Sequence, residues 1–496
     1  MTAGGLPEGI LDPGFDPADW PWFHHLGWTF TRTAETVNAD LHYCLARSDL
    51  PLNAPIDDLL DAFRHGGGLD PAGDVIRFTE RYLFHVATEA SDASTVWATR
   101  WNIAERLLTH LGVVAGLSYY KASAAADIRV HGRISSDDLA LHQLLLTRGL
   151  GEYCFVNGLD PELRPTWHVD VHETRPERAG AELGNGPLVP VGGGKDSCVT
   201  IEALRAAGRA PTLVTVRRFP IIQDVIDASG LPDVAVERII DPAIVELNEL
   251  GARNGHVPAT AIVSFAALIA AVLGGHDSLV MSNERSASEG NVEYRGVAIN
   301  HQWAKSDEAE SAIAAAVARI TPELRWFSLL RPLSELDISQ RFAATCRRYF
   351  DSFSSCNRTQ RIDPARRVTR WCGECPKCQF VYLALCTSLP RTEVERIWGS
   401  ELFSSSSIEG FRALLGLSEW KPFECVGEHL ECRVALASII ERAEWSDHPA
   451  LRHLAAEVRA ASGWPTDADI CSVYTLHAAP LVAPDYRGII HPGSVS

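Results

Sequence analysis

Short apolar runs alternate with amphipathic segments from Pro187 to about residue 284. The apolar runs are nearly continuous, as in strands that are buried on both faces of a sheet. They read PLVPV, PTLVTVRRF, DVAVERII and DSLVMSNE. The segments between them have helical periodicity, and SCVTIEALRAAG and IIQDVIDASG both end at glycine. The pattern therefore predicts an α/β fold, a parallel sheet with helices on both faces.

The chain before residue 180 has a different pattern. VNADLHYCL and DVIRFTERYLFHV predict strands, and two longer segments between residues 93 and 158 predict helices. We expect residues 1–180 to form an N-terminal α+β domain, joined to the rest by the linker ETRPERAGAELGNGP. The α/β domain then spans residues 187–390. Beyond Pro390 the pattern is mostly helical, which predicts a helical C-terminal region over residues 391–496.

Composition narrows the class of function. The chain has 496 residues and a net charge of −18, from 45 basic and 63 acidic residues, so it repels nucleic acid unless a basic patch intervenes. The N-terminal stretch lacks the pattern of a signal peptide, and PATAIVSFAALIAAVLGG favours a buried helix over a membrane span. Twelve cysteines without an export signal favour reduced thiols or metal ligands. We expect a cytoplasmic protein with no membrane or nucleic-acid partner, and no obligate protein partner is visible.

A glycine-rich loop, VPVGGGKDSCVT, follows the first strand of the α/β region and opens a helix. It is not a Walker A loop, because Val189 occupies the position of the first glycine and Asp196 follows the lysine. It is not a dinucleotide loop either, because Ser197 replaces the last glycine. The loop resembles the Ser-Gly-Gly-x-Asp-Ser pattern of PP-loop ATP pyrophosphatases, with Gly192 in place of the first serine.

That resemblance implies an adenine nucleotide hydrolase-like fold and a site for ATP with Mg²⁺. Backbone N–H groups at the start of a helix are suited to bind the pyrophosphate of ATP, and chemistry at the α-phosphate would release AMP. We expect the ATP-binding residues to be Gly192, Gly193, Gly194, Lys195, Asp196 and Ser197. A glycine-rich connector without a ligand is the alternative.

Four cysteines downstream have the spacing of a metal site. Cys356 is followed by the C-x₂-C-x₂-C pattern of Cys372, Cys375 and Cys378. Four thiolates satisfy the tetrahedral coordination of structural Zn²⁺. An iron–sulfur cluster or simple buried cysteines would also fit the pattern. We expect structural zinc.

The combination of these motifs resembles the MurL family of ATP-dependent UDP-N-acetylmuramoyl-L-alanyl-L-glutamate epimerases. The segments that carry the resemblance are GGGKDS, HVPATAIVSFAAL, MSNERSASEGN, NHQWAKS, WCGECPKCQF and KPFECVGE. The resemblance implies epimerisation of the terminal L-glutamate of a UDP-MurNAc-dipeptide to D-glutamate, in peptidoglycan precursor synthesis. Adenylating the carboxylate would acidify the α-proton, so that a base could remove it and return it to the other face.

The candidate catalytic groups lie mainly in the polar segment Ser282–Lys305. Glu284, His301 and Lys305 are possible proton-transfer groups, as is Cys425, for which a buried core cysteine is the alternative. Asp196 would place ATP and Mg²⁺. An acidic protein needs a local pocket of cations and amides for a diphosphate substrate. The candidate substrate-binding residues are Arg217, Arg218, Asn283, Arg285, Asn291 and Arg295. The N-terminal domain would recognise the UDP-sugar or the peptide.

Three other functions remain compatible with these motifs. The first is the carboxylate-to-nitrile conversion of 7-cyano-7-deazaguanine synthase, which also combines a PP-loop with a downstream four-cysteine cluster. The second is RNA modification by a PP-loop enzyme, which the negative charge disfavours. The third is a nucleotide sensor without catalytic activity, in which Gly192 reflects lost chemistry.

Overall fold

The computed structural model describes residues 14–33, 35–50, 73–85, 95–171, 180–361, 364–419 and 421–490. The strands are β1 (Trp22–Arg32), β2 (Thr36–Ala46), β3 (Val75–His85), β4 (Asp127–Ile134), β5 (Thr166–Val171), β6 (Pro187–Pro190), β7 (Thr212–Val216), β8 (Asp233–Ile239), β9 (Ser278–Met281), β10 (Val292–Tyr294), β11 (Val297–Ile299) and β12 (Arg325–Ser328).

The helices are α1 (Thr95–Tyr120), α2 (Ser136–Thr147), α3 (Gly151–Val156), α4 (Lys195–Ala206), α5 (Pro220–Ser229), α6 (Ala243–Glu249), α7 (Ala259–Gly274), α8 (Asp307–Ile320), α9 (Glu335–Thr345), α10 (Pro376–Cys386), α11 (Arg391–Trp398), α12 (Ile408–Leu414), α13 (His429–Ile440), α14 (Pro449–Ala460) and α15 (Asp467–Tyr474). Short 3₁₀ turns include Arg285–Ser288 and Trp303–Lys305. The helices predicted in the α/β region are present, and α4 and α5 are followed by Gly208 and Gly230 with positive φ.

One sheet of ten strands runs through the molecule in the order β12-β9-β6-β7-β8-β3-β2-β1-β4-β5. All neighbours from β12 to β8 are parallel, which confirms the predicted parallel sheet. From β8 through β3 and β2 to β1 the pairing is antiparallel. The strands β1, β4 and β5 are parallel again. The fold is therefore a mixed α/β sheet, mostly parallel, with an antiparallel middle section.

The N-terminal strands do not form a sheet of their own in the described part of the chain. β3 pairs with β8, with Leu83 opposite Glu237, so the sheet continues across the predicted domain boundary. β1, β4 and β5 were not predicted from the sequence. The predicted linker lies partly outside the described residues, and the division into domains at residues 180 and 187 stays a prediction.

Two hydrophobic cores flank the sheet. Leu188 and Leu279 belong to the core that contains the packed helices α1 and α7. Their neighbours Val189 and Val280 belong to the other core, with α4, α9 and the helices of the C-terminal region. Because side chains alternate between the faces of a strand, this alternation puts helices on both faces, as predicted.

The region beyond Pro390 is helical, as predicted, and packs on the second core through α11–α15. The apolar segment 258–275 forms α7, whose residues from Phe265 to Leu273 are all buried, as predicted for a core helix. Within the described ranges, no helix combines the length and apolar character that crossing a membrane requires.

Candidate functional site

The glycine-rich loop connects the end of β6 to the start of α4. Gly193 has a φ of +82°, and a Cβ built there would lie 3.3 Å from the side chain of Ile221, so the position favours glycine. Gly194 is the N-cap of α4, with extended backbone. The loop therefore reaches the start of a twelve-residue helix, where backbone N–H groups lack helical acceptors and favour an anion.

Three carboxylates and a lysine meet at the first turn of α4. One oxygen each from Asp196, Glu284 and Glu335 lies within 4.8 Å of the others. The fully buried ammonium group of Lys195 donates to both Asp196 and Glu335. Oxygen clusters of this kind bind divalent cations such as Mg²⁺.

Glu284 is the member of this carboxylate cluster without a partner. Its side chain is 1% exposed. Neither of its two oxygens accepts a hydrogen bond from any described residue. A buried carboxylate without a partner is costly, so the arrangement fits a site completed by a cation.

Lysines set the charge balance of the carboxylate cluster. Lys377 places its Nζ atom 3.7 Å from Oε1 of Glu335. Burial raises the pKa of Asp196, but the charges of Lys195 and Lys377 outweigh burial and lower it below its usual value. Burial and the neighbouring charge of Asp196 raise the pKa of Glu335. The cluster thus contains an ionised Asp196 beside a carboxylate that is harder to ionise.

A second cluster surrounds Cys425. The Nζ atom of Lys305 lies 3.6 Å from the Sγ atom of Cys425. His301 forms a hydrogen bond with Glu152 through Nδ1, and its interaction with Cys425 raises its pKa. The ring of His256 lies 4.3 Å from that of His301. Three of the predicted proton-transfer groups, His301, Lys305 and Cys425, therefore lie together, whereas Glu284 belongs to the carboxylate cluster.

The cations beside Cys425 favour its thiolate. Burial raises the pKa of Cys425, but Lys305, the hydrogen bond from His301 and the charge of Lys377 lower it to about 6. Burial lowers the pKa of His301, but its hydrogen bonds with Cys425 and Glu152 raise it to about 10. At neutral pH the pair is therefore a thiolate and an imidazolium. A thiolate is the reactive form of cysteine.

Arg331 holds the two segments that supply these groups. Its guanidinium donates to the carbonyl oxygens of Glu284 and Lys305 and pairs with the carboxylate of Glu310. Arg331 and Glu310 are 4% and 2% exposed. The backbone positions of Glu284 and Lys305 therefore depend on one buried ion pair.

The arginines predicted to bind substrate have other partners. Arg218 pairs with Asp233, Arg285 donates to the carbonyl oxygens of Val473 and Thr475, and Arg295 donates to that of Gly158. Arg217 lies over the ring of Phe219. In the described part of the chain, no hydrogen bond or ion pair joins these four arginines to the glycine-rich loop or to Cys425.

The two predicted asparagines lie closer to the site. Asn291 accepts a hydrogen bond from the backbone N–H of His301 at 2.7 Å and donates to the carbonyl oxygen of Pro422 at 2.7 Å. It therefore joins the segment of His301 to that of Cys425. Asn283 is buried beside Glu284, and its amide nitrogen lacks a hydrogen-bond acceptor among the described residues.

The four predicted metal ligands come together. The sulfur atoms of Cys356 and Cys375 are 3.9 Å apart, and those of Cys372 and Cys378 are 3.7 Å apart. The backbone N–H groups of Cys375 and Cys378 donate to the sulfur atoms of Cys372 and Cys375. Such bonds stabilise thiolates, and the donor set suits a structural metal.

Four residues of the site were not predicted from the sequence: Glu152, His256, Glu335 and Lys377. Glu152 is in α3, His256 precedes α7, and Glu335 opens α9. Their spacing in the sequence does not predict that they lie together, because each comes from a different element. Lys377 had a local signal, its position between two of the predicted cysteine ligands.

A cavity of about 400 Å³ opens beside the β10–β11 hairpin. Its lining includes Arg148 from the end of α2, Gly151 next to Glu152, and Ser288 and Asn300 from the predicted polar segment. The cavity is large enough for part of a nucleotide-sugar or peptide ligand.

Comparison with known proteins places both parts of the chain in one family. Residues 69–329 match the MurL N-terminal domain, and residues 352–484 match the MurL C-terminal domain. The UDP-N-acetyl-alpha-D-muramoyl-L-alanyl-L-glutamate epimerase of Micromonospora sp. is 43% identical over 380 residues, which cover 76% of this chain and 83% of that protein. The protein of the same name from Xanthomonas oryzae is 40% identical over 358 residues, covering 72% and 79%. No solved structure matches the chain significantly.

Proposed function

This chain belongs to the MurL family, and on that premise we propose that it epimerises the terminal L-glutamate of UDP-MurNAc-L-Ala-L-Glu through an acyl-adenylate. The epimerase activity is supported by the name of the relatives and by the large share of both chains over which they are similar. The adenylation step is supported by the glycine-rich loop and the carboxylate cluster at the start of α4.

The chemistry requires activation of the substrate. An α-proton beside an ionised carboxylate is very weakly acidic, because its removal would place a second negative charge on the same centre. Attack of the carboxylate on the α-phosphate of ATP releases pyrophosphate and gives an acyl-adenylate, in which the acyl group no longer carries the carboxylate charge and its carbonyl can accept the electron pair of the carbanion. After the proton returns to the other face, water attacks the carbonyl and releases AMP and the D-glutamyl product.

The loop Gly192–Ser197 supplies the nucleotide side of this reaction. Its glycines and the start of α4 are suited to the pyrophosphate. Asp196, Glu284 and Glu335 would hold Mg²⁺, which supplies charge neutralisation of the triphosphate when bound. Lys195, which donates to Asp196 and Glu335, would add a positive charge near the bound phosphates. A cation bound by the three carboxylates would give a partner to the two carboxylate oxygens of Glu284 that accept no hydrogen bond.

Cys425 supplies the proton-transfer side. Its thiolate is the base that removes the α-proton, stabilised by Lys305 and the imidazolium of His301. Glu152 orients His301 through its Nδ1 atom. The reaction is completed when a proton returns to the other face of the α-carbon, and Lys305 and His301 carry protons in this part of the site.

The observation that carries the proposal is the position of Lys305 between the two clusters. Its ammonium group lies beside Cys425. The guanidinium of Arg331 holds the backbone carbonyl oxygen of Lys305 together with that of Glu284 in the carboxylate cluster. Lys305 therefore connects the thiol to the carboxylate cluster. An activated carboxyl group placed between them would have its α-carbon near Cys425.

The cysteine cluster would hold Zn²⁺ as a structural ion. Its four thiolates and the N–H bonds to two of them fit this ion. The cavity beside the β10–β11 hairpin gives room for another part of the substrate, with Arg148 as its cation.

An isotope experiment tests the acyl-adenylate directly. The substrate is labelled with ¹⁸O in both oxygens of the glutamyl α-carboxylate and incubated with ATP in ordinary water. Carboxylate attack on the α-phosphate transfers one ¹⁸O atom to AMP, which mass spectrometry detects as AMP heavier by about 2 Da. Unlabelled AMP during full epimerisation would show either that no acyl-adenylate forms or that water cleaves it at phosphorus, and either result would contradict the proposed sequence of steps.

A further inference from the structure

The loop that contains Cys356, the first of the four cysteines, also contacts the glycine-rich loop Gly192–Ser197. The backbone N–H of Ser354 donates to the carbonyl oxygen of Gly193 at 2.9 Å. The side-chain amide of Gln360 donates to the carbonyl oxygen of Gly192 at 2.6 Å. Cys356 lies between these two residues in the chain. The loop that contains Cys356 therefore holds the backbone of the glycine-rich loop in place through two hydrogen bonds.

The last two cysteines carry a lysine into the carboxylate cluster. Lys377 stands between Cys375 and Cys378 in the first turn of α10, and it is 6% exposed. Its ammonium group lies 3.7 Å from Glu335, the same carboxylate that accepts from Lys195. Burying an ammonium group is costly unless the group is paired with an opposite charge or hydrogen-bonded. The cysteine cluster determines where this charge lies.

A third contact connects the cysteine cluster to Cys425. The side-chain amide of Asn357, directly after Cys356, donates to the carboxylate of Glu424, directly before Cys425. Thus the loop of Cys356 contacts both the phosphate loop and the segment of the thiol. Two of the three contacts come from the loop 354–360, and the third comes from Lys377 in the first turn of α10.

We propose that the four-cysteine centre is part of the active-site framework: it holds Lys377, a positioning residue, beside Glu335, and it is linked through Asn357 to the segment of Cys425. A bound metal fixes the first turn of α10 and the loop 354–360 together. Loss of the metal would release the phosphate loop, Glu335 and the thiol at once. The inference about nucleotide binding rests on the proposed function, whereas the inference about Cys425 does not require ATP.

The test compares Lys377→Met, Lys377→Arg and the control Arg358→Met in the metal-loaded protein. Arg358 also neighbours a cysteine ligand, but its side chain pairs with the exposed Glu374. Alkylation of Cys425 by iodoacetamide is followed against pH by peptide mass spectrometry, and metal content and circular dichroism are measured on each sample. ATP affinity is measured separately by calorimetry.

We expect Lys377→Met to keep its metal and its fold. Its alkylation midpoint at Cys425 should rise by roughly 0.5–1 in pH, because a cation has been removed. ATP affinity should fall about 10-fold to 100-fold, as for other residues that orient a site through a neighbour. Lys377→Arg should recover the alkylation midpoint, and Arg358→Met should match the wild type in every measurement.

An unchanged alkylation midpoint and unchanged ATP affinity in Lys377→Met would overturn the inference, as would a fully metal-free wild type with normal ATP affinity. If the midpoint moves in Lys377→Met but the wild-type protein binds no ATP, the proposed function would be contradicted. The role of Lys377 at Cys425 would still be supported. Should Lys377→Met lose its fold, Lys377→Gln and removal of the metal by a chelator provide the same comparison.

Discussion

Lys305 and Cys425 meet at the site although 120 residues separate them in the chain, with 3.6 Å between Nζ and Sγ. The pair joins the 3₁₀ turn after the β10–β11 hairpin to the loop before α13. An ammonium group at this distance stabilises a thiolate, the form in which Cys425 would act as the base of the proposed reaction.

Removing the thiol should separate ATP consumption from proton transfer. Cys425→Ala retains the phosphate loop, so we expect it to adenylate the substrate and hydrolyse the adenylate without epimerisation. Deuterium incorporation at the glutamyl α-carbon should fall roughly 10²-fold to 10⁴-fold, the range for loss of a general base. Mass spectrometry of the product measures this, with Cys471→Ala, which changes an exposed cysteine, as the control.

The pH profile of epimerisation should follow Cys425. Since the pKa of this thiol is lowered to about 6, kcat/KM should rise with pH through about 6 as the thiolate forms, and then level off. Because the pKa of His301 is raised to about 10, activity should fall again near that pH as the imidazolium is lost. Lys305→Met removes a cation and should move the acidic limb to higher pH. A profile independent of pH between 5 and 7 would argue against Cys425 as the base.

Asp196 should be needed for nucleotide chemistry and not for folding. Asp196→Asn removes a charge from the carboxylate cluster, and we expect AMP formation to fall at least about 100-fold, as for the loss of a preorganised electrostatic group. Circular dichroism should match that of the wild type. Asp227→Asn changes an exposed aspartate in α5 and serves as the control. Normal AMP formation by Asp196→Asn would count against its assigned role.

Arg331 should stabilise both the fold and the site. Arg331→Met leaves the buried carboxylate of Glu310 without its partner, which typically costs about 3–5 kcal/mol in the free energy of unfolding. Urea denaturation measures the loss. The double variant Arg331→Met/Glu310→Gln removes the uncompensated charge and should recover part of the stability. If the single and double variants lose the same free energy of unfolding, the uncompensated charge of Glu310 is not the cause of the loss.

Of the parallel strands, β6, β7 and β9 could be predicted because they are mostly buried and mostly apolar, whereas β12 was not predicted. β1 and β5 gave no such signal. β1 reads WFHHLGWTFTR, with two buried histidines and a bulge between His25 and Gly27, and β5 is a half-exposed edge strand. The continuation of the sheet from β8 to β3 depends on long-range pairing, which local periodicity does not report.

The site could be predicted where its residues are close together in sequence. The glycine-rich loop and the four cysteines have fixed spacings, and each set does come together in the structure. Glu152 and Glu335 come from helices far from these motifs, so only the tertiary structure shows that they contact His301 and Lys195. The four predicted arginines have partners within the chain, and their role in substrate binding stays a prediction.

The central claim is that ATP activates the glutamyl carboxylate before Cys425 removes the α-proton. The most direct measurement follows AMP and α-deuterium in one sample of wild-type protein with UDP-MurNAc-L-Ala-L-Glu in D₂O, with and without ATP. We predict that both products appear with ATP and neither appears without it. Deuterium exchange at the full rate in the absence of ATP would contradict the claim, because the α-proton would then be removed without activation.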